Sequence, residues 1–106
     1  RLWVVAADGV WATQNFGVNW SFSNEGLPRN LRNGGLHDLT YGVDGILYLA
    51  TDIGLFKQYP GDSVWNYVVD ESVQRRIMES LLLTESNPDQ LWINTDDGVF
   101  RLFVSD

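Results

Sequence analysis

A ten-residue pattern occurs three times in this chain, without gaps. It reads Leu2-Trp3-Val4-Val5-Ala6-Ala7-Asp8-Gly9-Val10-Trp11, then Leu47-Tyr48-Leu49-Ala50-Thr51-Asp52-Ile53-Gly54-Leu55-Phe56, then Leu91-Trp92-Ile93-Asn94-Thr95-Asp96-Asp97-Gly98-Val99-Phe100. The first residues lie 45 and 44 positions apart. The register runs on beyond the glycine: Trp20 and Trp65 each stand 11 residues after Gly9 and Gly54, and the third counterpart would be position 109, past the last of the 106 residues. Self-similarity at such a period marks a repeat architecture, in which one unit cannot bury its own apolar faces and must stack on its neighbours.

Each copy reads as strand, tight turn, strand. An acidic residue and a glycine between two apolar runs is a hairpin signal, because glycine adopts positive φ at no steric cost. The expected turn residues are Asp8 and Gly9, Asp52 and Gly54, and Asp96 and Gly98. A third strand carries the tryptophan, over 20–23 and 65–69, and a fourth precedes the next copy, over 36–43 and 77–84. Four short antiparallel strands in a period of about 45 residues is the signature of a β-propeller blade. The expected fold class is therefore all-β, with ten strands in one unit spanning 1–106 and repeats near 2–46, 47–90 and 91–106. Apolar residues occupy both strand faces, with Leu2, Val4 and Ala6 on one and Trp3 and Val5 on the other. A sheet sandwiched between two neighbours requires this, and the 13% aromatic content suits wide inter-sheet gaps. One segment reads two ways. Val73, Ile77, Leu81 and Leu82 fit a helix over 73–83 capped by Ser72, whereas the repeat register makes 77–84 a strand. The register is preferred, with a helical turn over 70–76, and the Ser86-Asn87-Pro88-Asp89 loop then leads into the next strand.

Ten strands make about two and a half blades, an incomplete ring, whereas closed propellers have about four to eight. An open stack exposes apolar faces and unpaired edges. Either further blades of a longer parent chain or other copies of this one are expected to cover them; two copies of ten strands suffice for five blades. The start at Arg1 rather than Met favours a segment of a larger protein.

Family resemblance enters with Thr13-Gln14-Asn15-Phe16-Gly17-Val18-Asn19-Trp20. The stretch resembles the Asp-box, or BNR repeat, of sialidase-like propellers, Ser/Thr-x-Asp-x-Gly-x-Thr-Trp, with Asn15 in place of Asp and Asn19 in place of Thr. Gly26-Leu27-Pro28 and Ser86-Asn87-Pro88-Asp89-Gln90-Leu91-Trp92 are similar to that family too. The second copy keeps only Trp65 of the box, and the third has Leu102 and Val104 in that stretch. The resemblance implies a structural role for Thr13, Asn15, Gly17 and Trp20. In the family, the acceptor side chain bonds backbone N–H groups of the turn while the tryptophan packs beneath it. The third copy, and Gly26-Leu27-Pro28 with Val43-Asp44-Gly45-Ile46-Leu47-Tyr48, are also similar to the propeller sensors of hybrid two-component regulators.

Few residues of the chain fall into a pattern that carries chemistry. Fourteen acidic against seven basic side chains, net −7, argue against nucleic acid and anionic membrane as partners. Cysteine is absent and His37 is the only histidine, so no disulfide, thiolate site or histidine metal cluster is expected within one chain, and no cofactor. Sialidase-type chemistry needs an arginine cluster and a tyrosine nucleophile. Arg29, Arg32, Arg75, Arg76 and Arg101 and Tyr41, Tyr48, Tyr59 and Tyr67 are present, but in no matching motif. The repeated Asp52 and Asp96, with Asp8 and Asp97, read as turn residues, a ligand- or Ca²⁺-facing ring being the sharper alternative. His37 beside Asp38 reads as a bystander rather than a general base, and Asn33-Gly34-Gly35 as a turn. Tyr59 and Tyr67 are the candidates for stacking on a ligand; Trp20 and Trp65 read as core or inter-blade residues.

The sequence thus points to a non-catalytic propeller segment. Its expected task is to bind or scaffold protein or glycan, within a larger extracellular or periplasmic protein or a self-assembling ring. The alternatives are part of a sialidase-like glycoside hydrolase and the ligand sensor of a two-component regulator.

Overall fold

In the computed structural model ten strands occur in chain order among the described residues. They are β1 (Leu2–Ala6), β2 (Gly9–Thr13), β3 (Ser21–Phe22), β4 (Leu36–Tyr41), β5 (Leu47–Thr51), β6 (Gly54–Gln58), β7 (Asn66–Tyr67), β8 (Met78–Thr84), β9 (Asp89–Thr95) and β10 (Gly98–Val104). The described residues are 2–42, 44–71, 73–86 and 88–104. Arg1, the strand end at Val43, the Ser72 cap, the Asn87 position of the loop and the Arg32 side chain lie outside that description.

The strands form three antiparallel sheets, β1-β2-β3, β4-β5-β6-β7 and β8-β9-β10. Each look-alike segment is a hairpin with a two-residue turn, closed by the pairs Ala6↔Gly9, Thr51↔Gly54 and Thr95↔Gly98. The outer strands β3 and β7 are two residues each, shorter than the apolar runs that suggest them. After each one the chain leaves the sheet edge for a turn, at Asn24–Leu27 and at Asp70–Gln74.

Residues 78–84 form strand, not helix. Pairing along β9 satisfies their backbone, sends Met78 fully into the core and leaves Leu82 62% exposed, so the apolar spacing does not correspond to one buried helical face. The helical reading survives as a single turn, with Gln74 N–H donating to Asp70 C=O at 2.9 Å.

β4 and β8 carry the same irregularity. The register against β5 slips between Leu36 and Asp38, and against β9 between Met78 and Ser80. Leu36 and Met78 face the repeat-equivalent Thr51 and Thr95, so the two bulges coincide in the repeat. A bulge bends and twists a strand locally.

The middle sheet separates two cores. Leu47, Leu49 and Phe56 join Val10, Leu36 and Trp65 between the first and middle sheets. Tyr48, Ala50 and Leu55 join Met78, Leu91 and Ile93 between the middle and third. All five residues of β5 are buried, because alternate side chains enter opposite cores. Among the described residues, the end sheets are covered on one face only. Leu2, Val4 and Phe22 are exposed at one end of the stack, and Leu82, Val99 and Phe103 at the other.

Candidate functional site

Three places gather polar or aromatic side chains. The first is the turn after β2. The Thr13 hydroxyl donates to Asn15 Oδ1 at 2.8 Å and accepts from the N–H groups of Asn15 (3.3 Å) and Gly17 (3.1 Å). Asn15 Oδ1 accepts from Asn19 N–H at 2.9 Å. A β-carbon on Gly17, at φ +87°, would lie 3.5 Å from the Trp20 ring, so the indole lies against the turn. The Thr13 and Asn15 side chains hold the turn's own backbone, and the Trp20 ring packs against it. At its tip Phe16 adopts φ 59° and projects into solvent, 96% exposed, a feature that no sequence signal singled out.

The second place is the row of hairpin turns. Asp8 accepts from the Trp11 indole N–H at 3.0 Å, Asp52 lies 2.6 Å from His37 Nε2, and Asp97 pairs with Arg76 at 2.7 Å. Asp96 donates its backbone N–H to Ile77 C=O at 3.2 Å. Each of the first three carboxylates thus has a local partner, and no group of three His, Cys, Asp or Glu among the described residues is placed to hold a metal ion.

Two threonines that sequence reasoning passed over do more at these turns. Thr51 Oγ1 donates to Gly54 C=O at 2.8 Å and accepts from Ile53 N–H at 3.1 Å. Thr95 repeats this with Gly98 C=O at 2.8 Å and Asp97 N–H at 3.0 Å. Their recurrence 44 residues apart was the available signal. Asp38, at the bulge of β4, was missed as well. One carboxylate oxygen takes Leu39 N–H at 2.8 Å, and the other reaches the neighbouring sheet to take Leu81 N–H at 2.7 Å.

The third place is an open cleft of about 410 Å³ between the middle and third sheets. Tyr48, Lys57, Tyr59 and Val68 line one side of it, and Leu102 and Phe103 the other. Lys57 Nζ sits 4.9 Å from the Tyr59 ring centroid. Burial first, and then the negative charge of Asp44, push the Tyr48 phenol up to about 12, so it stays a neutral hydroxyl across the ordinary pH range. Tyr67 is committed elsewhere. Its hydroxyl donates to Ile53 C=O at 2.7 Å and accepts from Arg75 N–H at 2.9 Å, while its ring meets Phe56 edge-on at 5.2 Å.

The two tryptophans at the shared repeat position have different surroundings. Trp65 is 2% exposed between the first and middle sheets, with its indole N–H on Ser23 C=O at 2.7 Å and its backbone N–H on Glu25 C=O at 2.8 Å. Trp20, which has no sheet on its far side among the described residues, is 39% exposed.

No family model, curated protein or solved structure matches the chain.

Proposed function

We propose that this chain is a run of β-propeller-type blades whose task is assembly: it docks with further blades or with other protein chains through the two ends of its stack. One observation carries the reading. The three sheets repeat one hairpin register, with coincident bulges in β4 and β8, yet among the described residues only the middle sheet has four strands and two covered faces. Relative to it, no described strand lies beside β1 in the first sheet or beside β10 in the third. β1 bears no charge, proline or bulge, the devices that ordinarily protect an edge. Leu2 and Val4 on it are 53% and 47% exposed. Thr13, Asn15, Thr51 and Thr95 bond the backbone of their own turns, and Asp8, Asp52 and Asp97 are each engaged by another side chain, which supports a scaffold rather than a site of chemistry.

Sedimentation equilibrium over a hundredfold concentration range tests this. The expected result is association beyond the 12.0 kDa chain, weakened by Val4→Lys on the unpaired edge while the fold is retained. A strict monomer at the highest concentration that also fails to bind a hydrophobic dye overturns the proposal.

A further inference from the structure

The cleft between the middle and third sheets occupies the same repeat position as the seat of Trp65. Ser23 and Val68 are equivalent, because each donates its backbone N–H to the second strand of the preceding hairpin, to Val10 C=O on β2 and Leu55 C=O on β6, both at 2.8 Å. Ser23 is the residue whose carbonyl holds the Trp65 indole, and Val68 lines the cleft. Val10 belongs to the core around Trp65, and its counterpart Leu55 also lines the cleft. Among the described residues, no side chain stands between the middle and third sheets as Trp65 stands between the first and middle.

Two further observations converge on the same missing element. β6 carries β7 on its outer edge, through Phe56↔Tyr67 and Lys57↔Asn66, whereas no described strand pairs with the outer edge of β10. Side chains from the segment beyond the hairpin also cover the first two turn glycines. A β-carbon on Gly9 would come 2.5 Å from Asn24, and one on Gly54 would come 2.7 Å from the Tyr67 hydroxyl, yet one on Gly98 meets nothing within 4 Å. β10 otherwise repeats β6 closely. Arg101 lies 4.7 Å from the Phe103 ring centroid as Lys57 lies over Tyr59, so the basic residue and the ring recur in register.

We infer that the cleft is an indole socket, and that its occupant is an extended strand led by a tryptophan, of the Trp-Asn-Tyr type found at 65–67. The tryptophan enters between the sheets toward Val68, while the two residues after it pair with Phe100 and Arg101 on β10. An apolar cavity of roughly 150 Å³ already takes a benzene ring, so a cleft of about 410 Å³ has room for an indole. Strand pairing supplies affinity and the ring supplies selectivity, the usual division in β-augmentation. The inference rests on the reading of the sheets as equivalent repeats and narrows it, by naming the chemistry that one end of the stack accepts.

The probe is a capped peptide copying Ser63–Val69, titrated into the full ¹⁵N-labelled chain and followed by amide shifts, with anisotropy of a labelled version for affinity. Saturable binding is expected, with shifts at Val68 and at Phe100–Val104. Replacing the peptide's tryptophan by alanine leaves the protein untouched and weakens binding at least tenfold, and Val104→Asp in the protein does the same. Equal binding of the alanine peptide, or shifts centred on Phe56 and Lys57, overturns the inference. The contact between the Trp65 indole N–H and Ser23 is read in the same sample by nuclear Overhauser effects. If it is present and the peptide fails to bind, the socket falls and the repeat reading stands. If it is absent, the repeat reading falls and the socket with it.

Discussion

Trp65 and Trp20 hold one repeat position in two environments, so truncating each in turn measures what a neighbouring sheet contributes. Trp65→Ala removes a ring that is 2% exposed and leaves Ser23 C=O without its indole donor. Core Trp→Ala substitutions cost about 3–5 kcal/mol. A domain of this size holds roughly 5–15 kcal/mol in all, so the variant loses at least about a fifth of its stability. At about 4–8 °C per kcal/mol, Tm falls by at least 12 °C or so. Trp20→Ala removes a ring that is 39% exposed and makes contact mainly with its own turn at Gly17, so the expected cost is about 1 kcal/mol. The assay is urea unfolding followed by far-ultraviolet circular dichroism, with the chain dilute enough to be monomeric. Equal losses for the two variants, or a loss below about 1.5 kcal/mol for Trp65→Ala, would refute the claim that inter-sheet burial, and not the turn motif, gives this position its weight.

Three more outcomes follow from the geometry. Gly54→Ala, at φ +135° with its new methyl 2.7 Å from the Tyr67 hydroxyl, should lose at least about 1 kcal/mol more than Gly98→Ala, at φ +113° in open space; thermal melts of the pair decide it. Asp38→Ala strips acceptors from Leu39 N–H and Leu81 N–H and should cost about 2–3 kcal/mol, with faster amide exchange at Leu81 as the local readout. The Tyr48 phenol is raised from 10.0 to about 12 in the folded chain, so its contribution is intact below pH 10 and is lost as pH climbs toward 12; stability should drop by roughly 2 kcal/mol over that window. The Tyr48→Phe variant should lack that part of the alkaline slope in denaturant titrations against pH.

Much of the fold was legible because its strongest signals are local. Gly9, Gly54 and Gly98 with their acidic neighbours announce hairpins, and a two-residue turn needs only adjacent residues to form. Thr51 and Thr95 were visible as a repeat yet unread, since their hydroxyls matter only once the turn brings Gly54 C=O and Gly98 C=O within 2.8 Å. The 73–83 segment shows the reverse case. Its apolar spacing suits a helix in isolation, and the ladder along β9 outweighs that preference. Asp38 and the cleft at Val68 left no local trace, because each depends on two sheets meeting.

The sequence by itself determined the three hairpins, the strand count of the described residues and the need for apolar cover on both strand faces, since these follow from residue types at spacings of two and of about 45. Only the tertiary structure decided which faces are covered. Trp65 is buried and Trp20 is not, although both obey one repeat, and among the described residues β10 has no outer strand of the kind that β6 has. The physical reason is that hairpin closure is settled within a dozen residues, whereas burial of a sheet face depends on whether another sheet lies against it, and a repeat does not encode its own neighbours.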